Sequence, residues 1–320
     1  MYRLPMIFPG QASQAVGMAA DLAGGDGPGA RFLAEVDGIL AHPLTSLMFE
    51  GPAETLTETW NAQPAILAHS VAVALELREK GVLPSVAAGH SLGEFSAAVA
   101  LGALQPADGL RLVRRRGELM FAAGAARPGT MAAVMGLPGD EVAAVCARVA
   151  ADAGVVVLAN HNSSTQVAIS GEVAAVEAAC AALKEAGAKR AIRLNVSGAF
   201  HSPLLEGAAA DFAKHLDMVE VADPDAPLVA NVTADPVGDG PTLKEGFRRQ
   251  LTSPVLWHAG LEVIASGAAT GETPRVVLEV GPGRVLSNLA RREHPDVTFL
   301  PVGTAEDLDT VLDRLSELLA

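Results

Sequence analysis

Val86-Ala87-Ala88-Gly89-His90-Ser91-Leu92-Gly93-Glu94-Phe95-Ser96-Ala97-Ala98-Val99-Ala100-Leu101 is the stretch from which the rest of the chain can be read. A short apolar β-like run, Val86–Ala88, leads into Gly-His-Ser-Leu-Gly. A helical pattern, Leu92–Leu101, follows. G-x-S-x-G between a strand and a helix is the form of a nucleophile elbow. Small residues at Gly89 and Gly93 permit the sharp turn. Ser91 then stands at a helix N-terminus, with the Leu92 backbone N–H aimed where an oxyanion would develop. A glycine-rich turn with a capping serine fits the same five residues, so the motif alone leaves both readings open.

Outward from the elbow, short β-like runs alternate with longer Ala-rich helical runs. Strands are expected at Met6–Phe8, Val86–Ala88, Leu228–Asn231 and Val276–Val280. Helices are expected at Ala62–Lys80, Leu92–Leu101, Ala107–Ala122 and Ser202–Leu216. That order implies an α/β fold, a mainly parallel sheet with helices on its faces. The middle differs. After the small-residue loop Gly124 to Gly129 come a strand (Thr130–Met135), a helix (Gly139–Asp152), two strands (Val155–Leu158, Gln166–Ser170), a helix (Glu172–Ala186) and a strand (Lys189–Asn195). This is βαββαβ, the split-βαβ order of a ferredoxin-like unit. The expected organisation is a large domain of residues 1–126 and 198–320 with an inserted domain at 127–197. Ala23–Ala30 and Asp235–Pro241 read as surface loops.

Composition narrows the function. Of 320 residues, 50% are apolar and 19% charged, enough to bury a core. The net charge is −14, the wrong sign for a general nucleic-acid binder. Cys146 and Cys180 have no ligand-like spacing, which argues against a disulfide scaffold or a cysteine metal site and fits a reducing compartment. The N-terminal apolar patch is short and broken by Pro5 and Pro9, unlike a signal segment. No run reads as a membrane-spanning helix. A cytoplasmic protein is expected.

A serine nucleophile needs a base. Among eight histidines, His201 is the best placed, in the small-residue loop Ser197-Gly198-Ala199-Phe200-His201-Ser202-Pro203 that leads into a helix. His215 sits mid-helix beside Lys214, His294 lies in a charged stretch, and His90 points elsewhere on such a turn. A misplaced arginine is the second clue. Leu112, Val113, Leu119 and Met120 form an apolar helical stripe, and Arg116 falls on it, while Arg111, Arg114 and Arg115 fall off. A buried guanidinium is costly unless it meets an anion. Either it forms a structural ion pair, or it seats a substrate carboxylate. Gly281-Pro282-Gly283-Arg284 reads as a structural strand-to-helix turn, since it is neither a P-loop nor a dinucleotide fingerprint.

Together with the elbow, several motifs recur in order: Phe8-Pro9-Gly10-Gln11-Ala12-Ser13-Gln14, Gly51-Pro52-Ala53-Glu54, Gln63-Pro64-Ala65, Arg116-Gly117, Asn160-His161-Asn162, Gly198-Ala199-Phe200-His201, Arg249-Gln250-Leu251 and Glu279-Val280-Gly281-Pro282-Gly283. On these residues the chain resembles the malonyl-CoA:acyl carrier protein transacylase family, acyltransferases of fatty-acid and polyketide synthesis, nearly end to end. The resemblance implies an α/β-hydrolase-like domain with the ferredoxin-like insert, and ping-pong transfer of malonyl from malonyl-CoA to the phosphopantetheine thiol of acyl carrier protein. It implies Ser91 as nucleophile and His201 as base, with the Gln250 backbone carbonyl orienting the histidine. It implies Gln11 and Leu92 as oxyanion N–H donors and Arg116 as partner of the malonyl carboxylate. Gln63, Asn160, Asn162 and Gln166 match polar positions along the cleft, where satisfied loop or cap residues are the equal alternative. Phe200 matches a residue that excludes an α-methyl branch. No metal or redox cofactor is implied, and a monomer is expected. A malonyl-loading acyltransferase serving a polyketide synthase or a malonate decarboxylase would share all of these residues. A serine esterase would share the elbow but gain nothing from a buried Arg116. One departure stands out: Ala12 replaces the glycine of Gly-Gln-Gly-Ser-Gln, at a cost of about 1 kcal/mol if that position needs φ > 0.

Overall fold

In a computed structural model the described residues are 1–196 and 198–318. Ser197, at the expected domain boundary, and the last two residues lie outside them. The alternating pattern builds two sheets. Among the described residues ten strands run in chain order: β1 (Tyr2–Phe8), β2 (Val82–Gly89), β3 (Gly129–Met135), β4 (Val156–Ser163), β5 (Gln166–Glu172), β6 (Arg190–Arg193), β7 (Leu228–Val229), β8 (Pro236–Val237), β9 (Val276–Val280) and β10 (Thr298–Val302).

The larger sheet has the order β10-β9-β1-β2-β7-β8. All its pairs are parallel except β7 with the edge strand β8. Its central strands are buried on both faces, as continuous apolar runs in a parallel sheet require. Alternation sends Met6, Phe8, Ala87 and Leu278 into the main core and Ile7, Val86, Ala88 and Val277 into a second core on the other face. The helix Thr59–Glu79 is buried almost throughout, and the short helix Gly93–Ala100 is buried at every residue.

The smaller sheet is antiparallel, in the order β4-β5-β3-β6. Numbered within the unit this is 2-3-1-4, the ferredoxin-like arrangement that βαββαβ implies. Helices Gly139–Ala153 and Val173–Glu185 cover it with their own core of Val134, Val142, Cys146, Ile169, Val176 and Leu183.

The sequence pattern misjudged several boundaries. β4 continues five residues past Leu158, because backbone pairing to β5 survives the polar run Asn160–Ser163 through two register irregularities. There β4 also pairs across to the large unit: His161 N–H donates to Val255 O at 2.9 Å and Val255 N–H to Ala159 O at 2.9 Å. This seam carries Asn160 to the cleft. The expected loop Ala23–Ala30 contains the start of a helix, Pro28–Leu40, with proline at its first position. Asp235–Pro241 holds β8 and the start of helix Gly240–Gln250, capped by Asp239. The helix Val285–Glu293 follows the Gly281–Arg284 turn as expected, while strand β10 after it had no clear pattern in the sequence.

Candidate active site

The elbow forms where the sequence puts it. β2 ends at Gly89, and the helix Gly93–Ala100 begins two residues after Ser91. Ser91 itself adopts φ 53°, a left-handed conformation rare for a side-chain-bearing residue. Close packing explains both glycines. A Cβ at Gly89 would lie 1.9 Å from the Gly93 carbonyl carbon, and one at Gly93 would lie 2.3 Å from Phe8 O. The strained turn is held from below by Asn231. Its Oδ1 accepts from Ser91 N–H at 2.8 Å, and its Nδ2 donates to Gly89 O at 2.6 Å.

His201, on a loop 110 residues downstream, meets the serine. Ser91 Oγ and His201 Nε2 are 2.8 Å apart, and His201 Nδ1 stands 3.0 Å from the Gln250 carbonyl oxygen. A carbonyl only accepts, so Nδ1 carries the proton and Nε2 is left to accept from the serine hydroxyl. His201 also has a positive φ, 56°. The imidazole is 4% exposed. Burial, reinforced by the charge of Arg116, holds it down at about 3, so the free ring is neutral at pH 7.

Arg116 is the most deeply buried cation of the site, 1% exposed, as its place on the apolar stripe foretold. Arg111 and Arg115 form surface ion pairs, and Arg114 a partly buried one with Glu118. Arg116 Nη1 donates to Gln63 Oε1 at 2.7 Å. Its Nη2 donates to Gln250 Oε1 at 2.8 Å and to Ser91 Oγ at 3.1 Å. Its Nε is buried with no hydrogen-bond partner among the described residues. Burial lowers the guanidinium only to about 10, so it stays charged at neutral pH. Among the described residues no carboxylate forms an ion pair with it, and Glu94 acts on it at a distance, linked through the Gln250 amide. A buried cation held by neutral amides, with one donor left over, is suited to receive an anion.

A cleft of about 220 Å³ opens over these groups, between the elbow side of the large sheet and the small sheet. Gln11, Ser91, Leu92, Arg116, Asn160, Phe200 and His201 line it. Neither the Gln11 nor the Leu92 backbone N–H is paired within the described residues. Ala12 adopts φ 80°, so the position does demand the conformation that glycine would supply.

Three of the polar positions expected along the cleft do other work. Gln63 is fully buried behind the site and braces Arg116, donating in turn to Thr59 Oγ1 at 3.0 Å. Asn162 Oδ1 accepts from His90 Nε2 at 2.8 Å, linking the elbow to β4. Gln166 is not at the cleft. It opens β5, opposite Met135 at the end of β3, and lines a separate hollow with Lys189, Arg292 and Glu293. The Gly281-Pro282-Gly283 turn is structural. The buried Glu279 carboxylate accepts from Leu286 N–H at 2.9 Å and Ser287 N–H at 2.7 Å, filling the helix N-terminus a phosphate would need.

Sequence reasoning missed Asn231, Glu94 and the Gln250 side chain. Glu94 was findable by the argument that found Arg116, since it is a charge on an otherwise apolar helix. Asn231 and the Gln250 amide carried no such signal. Among the described residues no group of three or more His, Cys, Asp or Glu side chains could hold a metal ion, and no helix is long and apolar enough to cross a membrane.

Comparison with known proteins agrees with this geometry. The acyl transferase domain family matches residues 6–297. A malonyl CoA-acyl carrier protein transacylase of Bacillus subtilis is 41% identical over 99% of this chain and 98% of its own length. The Escherichia coli K12 protein of the same name is 40% identical over 91% of this chain and 93% of its own. The crystal structure of an acyl-carrier-protein S-malonyltransferase from Bartonella henselae superposes with a TM-score of 0.91 at 40% identity, covering 99% of this chain and 100% of that one. A malonyl-transacylase solved in complex with its type II polyketide-synthase acyl carrier protein superposes at 0.90 with 39% identity, covering 98% and 99%.

Proposed function

Because the chain belongs to the acyl transferase domain family, and within it to the malonyl CoA-acyl carrier protein transacylases, we propose that it moves malonyl from malonyl-CoA to acyl carrier protein through a malonyl ester on Ser91. The carrying observation is one hydrogen-bonded chain, Arg116–Ser91–His201–Gln250, in which a carboxylate receptor adjoins a nucleophile and its base.

Malonyl-CoA enters the cleft, and its free carboxylate pairs with Arg116. His201 Nε2 accepts the Ser91 proton as Oγ attacks the thioester carbon. The Gln11 and Leu92 N–H groups take the oxyanion, each aimed at charge that exists only in the transition state. The imidazolium formed is held by the Gln250 carbonyl, which fixes the ring where other serine enzymes use an acid. Collapse expels CoA, with the His201 proton delivered to its sulfur. The carrier thiol then attacks the malonyl ester as His201 accepts its proton. The acyl–Oγ bond breaks with His201 returning that proton to Ser91 Oγ, which releases the malonyl carrier thioester and the free serine. Phe200 crowds the α-carbon and works against a methyl branch. No cofactor is needed for any step.

The unit spanning 127–197 acts as one wall of the cleft, with 1–126 and 198–320 forming the other. All reacting groups come from one chain, so the site needs no residue from a second copy. Two free thiols support the cytoplasm as its compartment. The test is the intact mass of the protein after malonyl-CoA, with and without acyl carrier protein. A malonyl increment that disappears on adding the carrier is expected. No increment, or immediate hydrolysis of malonyl-CoA, would remove the transfer reading and leave an esterase.

A further inference from the structure

Gln250 touches every reacting residue. Its backbone oxygen holds His201, its Oε1 accepts from Arg116, and its Nε2 donates to Ser91 O at 2.9 Å. The terminal torsion of a glutamine is broad and two-fold, so such an amide needs fixing from outside. The fixing group is Glu94. Its Oε2 accepts from Gln250 Nε2 at 2.5 Å, and its Oε1 accepts from Asn231 N–H at 2.8 Å. The Asn231 side chain is the one that closes on Ser91 N–H and Gly89 O. Glu94 is 1% exposed and lies behind the nucleophile, away from the cleft lining.

We propose that Glu94 is a positioning residue for acyl transfer: a buried carboxylate that locks the Gln250 amide and the Asn231 backbone, and through them aligns Ser91, His201 and Arg116. The inference rests on the serine-acylation reading above.

Its charge state follows from its partners. Both oxygens face N–H donors, which a carboxylate satisfies and a carboxyl O–H disrupts. Glu94 also lies in the first turn of the helix Gly93–Ala100, at the positive end of its dipole. Arg116, on the helix Pro106–Ala126, is the charged group that faces it and favours the anion, and His201 is the next titratable group, reached through Ser91. Burial opposes all three and pushes Glu94 up to about 7. Protonation therefore falls within the working range, and the lock loosens as pH drops below it.

Glu94→Gln preserves size but turns an NH2 group toward one of the two donors. Single-turnover malonylation of Ser91, read by intact mass between about pH 5.5 and 8.5, is the assay, with circular dichroism confirming the fold. The variant should acylate about 10²-fold more slowly at high pH, the scale of a small misplacement of reacting groups. Its KM for malonyl-CoA should stay within about threefold, because Gln63 still braces Arg116. The wild-type acid limb near pH 7 should vanish in the variant. If Glu94→Gln does not fold, Gln250→Met carries the test. Losing the Gln250 donor raises Glu94, so the acid limb should move upward. A Glu94→Gln protein with a wild-type rate and limb, or an unmoved limb in Gln250→Met, overturns the proposal. Absence of any malonyl adduct on the wild type would instead sink the transfer reading itself.

Discussion

Replacing Arg116 with methionine separates recognition of malonyl from the chemistry of acylation. The substitution removes the charge and keeps much of the buried volume. Two consequences follow from the contacts. Gln63 Oε1 and Gln250 Oε1 lose their donors at 2.7 and 2.8 Å, each at a cost of about 1–3 kcal/mol if nothing replaces them. That loss falls on every acyl substrate alike. The malonyl carboxylate alone loses a desolvated, charge-assisted partner, at about 2–5 kcal/mol. The ratio of malonyl to acetyl kcat/KM should therefore fall roughly 30- to 5,000-fold. Acetyl transfer should fall far less. Removing the nearby positive charge also lets His201 rise from about 3, a stronger base that offsets part of the loss for both acyl groups equally and leaves their ratio unchanged. The assay is paired kinetics with malonyl-CoA and acetyl-CoA against one acyl carrier protein. Equal losses for both acyl groups would refute the carboxylate assignment and make Arg116 a structural brace for Gln63 and Gln250.

Ser91→Ala should abolish the malonyl adduct in intact mass, and an adduct that persists would place the nucleophile elsewhere. His201→Ala should slow single-turnover acylation by about 10³-fold or more, and a near-normal rate would hand the base role to another group. Ala12→Gly relieves a φ of 80° and should stabilise the protein by about 1 kcal/mol in denaturant titration, unless backbone entropy of the unfolded chain cancels it. Lys189 and Arg190 are exposed on the small sheet, with Lys189 and Arg292 lining one hollow. Their double reversal to Glu should raise the carrier-protein KM roughly tenfold at low salt, at up to about 1 kcal/mol per exposed pair. Unchanged salt dependence would rule out an electrostatic dock there. Buried His201 sits below its ordinary value, so the unfolded chain binds more protons, and the stability present above pH 6.5 is lost as pH falls toward 3; buried His69, also lowered, acts in the same sense. Glu94, raised from 4.5 to about 7, works in the opposite sense, stabilising below 4.5 and losing that contribution as pH rises through 7. Urea midpoints for wild type and His201→Gln at pH 5.5 and 7.5 should show the shallower dependence in the variant.

The local chemistry was legible in the order of residues alone. Gly89-His90-Ser91-Leu92-Gly93 specifies much of its turn because Gly89 must fit against the Gly93 backbone, a constraint local in sequence, whereas the fit of Gly93 against Phe8 of β1 exists only in the folded chain. Periodicity sufficed for Arg116, because a charge on an apolar helical stripe has no solvated side to occupy. The βαββαβ order was legible too, because its elements follow one another through short connections. Tertiary structure decided what no spacing encodes. Gln166 and Asn160 are six residues apart, yet one lines a separate hollow and the other the cleft, because Gln166 pairs with Ser163 at the β4–β5 turn, beyond the seam with Val255 that holds Asn160. Gln63 looked like a cleft residue and proved to be a buried brace, since only packing against the Arg116 helix says which way it faces. Asn231, Glu94 and the Gln250 amide converge on Ser91 from segments up to 159 residues away. Such a network is fixed by close packing of buried polar groups, each of which must find its partner, and that requirement exists only once the chain has folded.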